Sequence, residues 1–168
     1  MLSFAFSASI KHGCLILCVL SIIQCAFAQD GGSFVLDSSY EGAWLKLDYV
    51  AGGEHRSQER FPLPECVGYI TKNPDHLLTL KEDIANLHLF VRAEGDSALI
   101  VYDETNKETF CSDDDQYYHP GILRDWKAGV YHIYVASYYP NEHLRYSFYI
   151  GLGRFDSLGS PDSPNRTP

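Results

Sequence analysis

Cys111-Ser112-Asp113-Asp114-Asp115 and, downstream of it, Tyr131-His132-Ile133-Tyr134-Val135-Ala136 are the stretches whose reading decides the fold. In the second, Tyr131, Ile133 and Val135 alternate with His132, Tyr134 and Ala136, a period of two that belongs to a half-buried strand. The same period recurs where Leu45, Leu47 and Tyr49 alternate with Lys46 and Asp48, and where Leu87, Leu89, Val91 and Ala93 alternate with His88, Phe90 and Arg92. Further strands are expected at 33–36, 76–80, 98–102 and 146–150. Turn chemistry separates them at Ala51-Gly52-Gly53, Asn73-Pro74-Asp75, Glu94-Gly95-Asp96 and Tyr139-Pro140-Asn141. Seven or eight short strands at this spacing predict an all-β fold, an antiparallel β-sandwich of jelly-roll-like type. No long stretch carries a helical period, and residues 81–87 have room for a single helical turn.

The ends of the chain predict its compartment. Lys11 and His12 precede an apolar run over 14–23, and Ala26-Phe27-Ala28 sets small residues where a signal peptidase reads, so cleavage is expected after Ala28. The run is shorter than the ~20 residues of a membrane-spanning helix. The predicted organisation is a signal peptide at 1–28, one sandwich domain at 29–155 and a disordered tail at 156–168, whose last ten residues offer nothing apolar to bury. Localisation follows as secreted or periplasmic, with no membrane span after cleavage. The leader takes Cys14, Cys18 and Cys25 with it and leaves Cys66 and Cys111, an even pair that reads as one disulfide in an exported domain. Cleavage also removes Lys11 and no acidic residue, moving the formal charge from −9 to −10. Such a field disfavours nucleic acid and anionic membranes as partners and favours cations.

The order of motifs is similar to that of a known family. Ala51-Gly52-Gly53, Cys66-Val67-Gly68-Tyr69-Ile70, Pro74-Asp75-His76-Leu77-Leu78, Asp96-Ser97-Ala98-Leu99-Ile100-Val101, Cys111-Ser112-Asp113-Asp114-Asp115 and Gly129-Val130-Tyr131-His132-Ile133-Tyr134-Val135-Ala136 follow one another in that sequence. In this the chain resembles the bacterial pre-peptidase C-terminal domain. It departs from the family pattern at Ser97, where Thr is usual, at Tyr134 for Trp and at Ala136 for Gly, and Thr105-Asn106-Lys107 replaces an Asp-Gly turn. The resemblance implies a secreted β-sandwich that accompanies peptidases or stands alone, with calcium-binding and polymer-binding relatives.

Two sets of residues are candidates for function. Carboxylates two apart in a loop, Asp113 and Asp115, suit the oxygen-rich shell of calcium, with Asp114 as a weaker ligand and Asp96 or Asp103 arriving from a neighbouring hairpin. An EF-hand loop begun at Asp113 is excluded, because it would need Gly at Tyr118 and Glu at Arg124. The competing reading of the same residues is a solvated turn that discourages edge association. The second set is aromatic: Tyr117-Tyr118 and Tyr138-Tyr139 fall at expected loops or strand ends, where exposed tyrosine supplies rigid contact area for a glycan or an extended protein, or else lines a sheet face. The histidines His55, His76, His88, His119, His132 and His143 show no zinc spacing and read as ordinary surface residues. No Gly-x-Ser-x-Gly elbow or phosphate loop occurs, which argues against catalysis. The expected function is thus an exported, non-catalytic binding or accessory module for a protein or glycan, with a structural envelope protein or a small secreted hydrolase as alternatives.

Overall fold

Eleven strands and one helical turn make up the described part of the chain, residues 32–116 and 118–155 of the computed structural model. The expected signal peptide (1–28), the tail (156–168) and Tyr117 lie outside the described residues. One sheet is built from β1 (Gly32–Leu36), β3 (His55–Arg56), β4 (Tyr69–Ile70), β5 (His76–Leu80), β7 (Ser97–Asp103), β8 (Thr109–Ser112) and β10 (Gly129–Ser137). The second runs β2–β11–β6–β9, from β2 (Leu45–Ala51), β11 (Leu144–Leu152), β6 (Ile84–Ala93) and β9 (Gly121–Trp126). The pairing is antiparallel apart from β1 on β5. This is the expected β-sandwich.

β10 is the spine of the first sheet. Along one edge it pairs β7 from Tyr131 to Ser137; along the other it pairs β5 up to Ile133 and then β4 at Ser137. Between β5 and β4 the edge of β10 has no strand, and Asp75 fills the gap: its backbone N–H donates to the Ile133 carbonyl, and its carboxylate accepts the Val135 N–H at 2.8 Å.

The main core lies between the sheets, where Leu78, Leu99, Val101, Ile133 and Val135 meet Leu87, Leu89, Val91 and Phe148, all fully buried. Its largest member is Trp126, whose ring stands edge-on to Tyr131 and whose indole N–H donates to the Leu87 carbonyl at 2.9 Å, so the buried polar atom is satisfied.

Unlike a simple sandwich, each sheet is also covered on its outer face. Helical turn α1 (Ser57–Arg60) and the segment that follows lay Phe61, Leu63, Cys66 and Val67 over Ile70, Ala98, Ile100, Tyr134 and Ala136. On the far side, Trp44 and Phe155 pack over Phe90 and Tyr149. The structure departs from the sequence reading in three respects. Strands β7 and β10 are buried on both faces rather than half-buried. His88 is fully buried beside Trp44 of the cover, and His76 is fully buried among Phe34, Tyr49, Tyr146 and Phe148, so neither is a surface residue. The strands number eleven instead of seven or eight because β3, β4, β8 and β9 are short or edge elements with no clean alternation. Residues 81–87 do not form a helical turn: β6 starts at Ile84, with a bulge before Leu87 that places Asn86 at φ 57°.

Candidate functional site

Cys66 and Cys111 form the expected disulfide, with Cα atoms 5.1 Å apart. It ties the α1 cover to β8 and so closes it over the outer face of the first sheet. The cover is also held by Ser57, buried beneath it, whose hydroxyl lies 2.7 Å from the Cys66 carbonyl and 2.9 Å from that of Gly68. At Gly68 the chain takes φ +91° and passes so close to β10 that a Cβ would sit 2.7 Å from the Ser137 carbonyl oxygen.

This close approach builds a groove at one end of the sandwich. Ser137, Tyr69 and Arg56 lie in register across β10, β4 and β3, and the β10–β11 turn leaves from Ser137 into Tyr138 and Tyr139. Tyr138 is 57% and Tyr139 64% exposed, with the rings edge-to-face at 4.9 Å, whereas Tyr131, Tyr134, Tyr146 and Tyr149 are buried. Arg56, Gln58, Tyr69, Tyr138, Tyr139 and Pro140 line a groove of about 330 Å³. The Arg56 guanidinium sits 5.7 Å from the centre of the Tyr69 ring and donates to its hydroxyl at 3.4 Å, which orients the charge beside the tyrosine pair. Sequence reading found the tyrosine pair but not its partners, since nothing in the chain marks Arg56, Gln58 or Tyr69 as neighbours of residue 138.

The aspartates divide into three groups. Asp96, Asp113 and Asp114 meet in a depression together with Glu94, Tyr118 and His119, and burial, Asp96 and Asp114 raise the Asp113 carboxyl above the usual range. Asp115 is engaged elsewhere: its carboxylate accepts two bonds from Arg154 at 3.2 Å and faces Nε2 of buried His88 at 3.5 Å. His88 Nδ1 accepts the Phe155 N–H at 2.8 Å, so the trio fastens the acidic loop and the 153–155 segment onto the second sheet. Asp103 is buried at the other end of β7 and caps the turn into β8, accepting from the N–H groups of Thr105 and Asn106. It stands roughly 20 Å from Asp96 by the rise of the strand between them. Of the expected calcium ligands, Asp113 and Asp114 meet Asp96 but neither Asp115 nor the alternative Asp103, and among the described residues no three His, Cys, Asp or Glu are grouped so as to hold a metal ion. Tyr118, 84% exposed at φ 64°, borders the acidic depression rather than the tyrosine groove.

Two further titratable groups are shifted by burial: His76, read from the sequence as a surface residue, and Asp75, given no functional role there. His76 stacks on Phe148 at 4.8 Å, stands edge-on to Tyr49 and meets the Tyr146 hydroxyl at 2.8 Å, and burial lowers its pKa to about 4. Burial also raises the Asp75 carboxyl to about 7, outweighing the Val135 N–H that favours its charged form.

No family model matches the chain, and no curated protein matches it. Among solved structures it is similar to the pre-peptidase C-terminal domain of collagenase from Bacillus anthracis, at 12% identity over 71% of this chain and 95% of that one, with a TM-score of 0.42. The sandwich described above stands on the chain's own strand pairing and not on that likeness. No helix among the described residues is long and apolar enough to cross a membrane.

Proposed function

We propose that this chain is an exported, non-catalytic recognition module whose Tyr138–Tyr139 groove binds a glycan. The observation that carries the reading is the pair of exposed tyrosines at the rim of a groove in a protein that buries the tyrosines of β10 and β11. A large aromatic surface left in water loses the stabilisation that burial provides, and a pyranose ring recovers it by laying its C–H face on tyrosine while its hydroxyls meet the tyrosine tips, Gln58 and Arg56. The non-catalytic part is supported by the histidines: His76 is enclosed by aromatic rings and His88 is committed to Phe155 and Asp115, so neither serves as a base at the groove. Export is supported by the leader pattern and by the disulfide, which suits an oxidising compartment. Calcium enters the proposal only as a weak counterion of Asp96, Asp113 and Asp114. Affinity electrophoresis of the mature chain through gels containing soluble polysaccharides tests the reading: retardation by at least one polymer is expected, and it is expected to disappear in the Tyr138→Ala/Tyr139→Ala variant. Unretarded migration with every polymer would reject glycan recognition in favour of a structural role.

A further inference from the structure

The groove does not end at the tyrosines. Arg56 also lines a second groove of about 330 Å³ on the other side of β3, with His55, Glu59, Arg60, Ile70, Thr71 and Lys72. The two grooves share Arg56, and together their lining residues include three permanent cations, Arg56, Arg60 and Lys72, against one carboxylate, Glu59, with Glu142 beside Tyr139 and Glu54 beside His55 at the rims. That balance is opposite to the chain as a whole, which has 22 acidic and 13 basic residues.

Of the other described cations, Lys46, Lys81, Lys127 and Arg154 each meet a carboxylate, Asp48, Asp37, Asp83 and Asp115 in turn, and Arg92, Lys107, Arg124 and Arg145 do not. Among the described residues Arg56, Arg60 and Lys72 make no ion pair. The two arginines are nevertheless fixed: Arg56 leans on Tyr69, and the Arg60 guanidinium donates to the Lys72 carbonyl at 2.8 Å while lying 4.9 Å from the centre of the Tyr134 ring. Arginines held by aromatic faces and backbone keep donors free for an incoming anion at little further ordering cost. The groove of Lys46, Arg92 and Arg145 sets three cations against two carboxylates, Asp48 and Glu94, with Lys46 paired to Asp48, and so carries a smaller excess.

The register orients the site. Ser137 has Ser97 of β7 on one side, next to Asp96 and the acidic depression, and Tyr69 of β4 on the other, next to Arg56. A polyanion is repelled from the first flank and drawn to the second.

We propose that the ligand is an anionic glycan, a chain carrying carboxylate or sulfate groups, which crosses the tyrosine pair and seats its charged groups at Arg56 and Lys72. This rests on the recognition reading given above and names the class of ligand. The probes are a uronate oligosaccharide, a neutral glucan oligosaccharide of equal length and poly-glutamate, measured by calorimetric titration at low and at high salt. The uronate chain is expected to bind at least tenfold more tightly than the glucan at low salt and to lose that advantage at high salt, as charge-directed binding does. The exposed pair Arg56→Gln/Lys72→Gln is expected to abolish the advantage with the melting temperature unchanged. Equal binding of uronate and glucan, with both lost in the Tyr138→Ala/Tyr139→Ala variant, would overturn the anionic assignment and leave glycan recognition standing. Failure of both sugars to bind would overturn the two together. Poly-glutamate binding as tightly as uronate would overturn the glycan assignment in favour of charge alone.

Discussion

Replacing Asp75 by asparagine should stabilise this protein, and more so as the pH rises. Asp75 sits in the gap on the edge of β10 where neither β5 nor β4 reaches, and its side chain supplies the acceptor that the Val135 N–H lacks there. An amide oxygen supplies the same acceptor without a charge. Burial raises the carboxyl from 3.8 to about 7. The folded state therefore holds the proton more tightly than the unfolded chain, and the stability this contributes is complete below pH 3.8 and is lost as pH climbs through 7. At about 1.36 kcal/mol per pH unit between those limits, an ionised Asp75 costs the fold at most about 4 kcal/mol at pH 8 and under about 2 kcal/mol at pH 5. Urea unfolding of wild type and Asp75→Asn at both pH values reads the difference directly. The gap in favour of the variant should widen by about 2 to 3 kcal/mol from pH 5 to pH 8. A gap that does not change with pH, or a variant that is the less stable of the two at pH 8, would refute the reasoning. His76 and His88, each lowered to about 4 by burial, act in the opposite direction. The stability that depends on their neutral rings is present above pH 6.5 and falls away toward pH 4, so Asp75→Asn should keep an acid-side loss of stability while losing the alkaline-side one.

Cys111→Ser should cost about 4 kcal/mol by loop entropy, since the bridge closes 45 residues, and denaturant unfolding should show it together with faster proteolysis of the α1 cover. Millimolar calcium should raise the melting temperature slightly through Asp96, Asp113 and Asp114, and Asp113→Asn should remove the rise; a response unchanged in that variant would place the ion elsewhere. Trp126→Ala should destabilise by about 3 to 5 kcal/mol in thermal and chemical unfolding, because the ring fills the core between β9 and β10 and its N–H closes onto Leu87.

Two strands of the second sheet were plain in the sequence: the alternation at 45–49 corresponds to β2, and the strand expected at 146–150 lies within β11. What covers the outer faces was not. His88 alternates with core leucines and so reads as pointing at water, yet Trp44 and Phe155, which enclose that face, lie 44 and 67 positions away and carry no mark of their destination. The short strands β3 and β4 exist only because the α1 cover folds back against β10, so no local period announces them. Asp103 is a different case. Residues 98–102 read as one strand, which sets Asp96 and Asp103 at its opposite ends, so the two alternatives for the remaining ligand lie far apart. Asp115 could not have been separated from Asp113 in this way, because its partner Arg154 comes from the far end of the domain. The disulfide was legible by counting cysteines, and the exposed tyrosines by their place beside Pro140 in a turn.

The central claim is that Tyr138 and Tyr139 are a binding edge and not part of the framework that holds the fold. One titration tests it most directly: a uronate oligosaccharide into wild type and into Tyr138→Ala/Tyr139→Ala, with the melting temperature of each measured on the same samples. The exposure of both rings predicts a loss of affinity of at least tenfold with a melting temperature nearly unchanged. Equal affinities in the two proteins, or a large fall in the melting temperature of the variant, would contradict it.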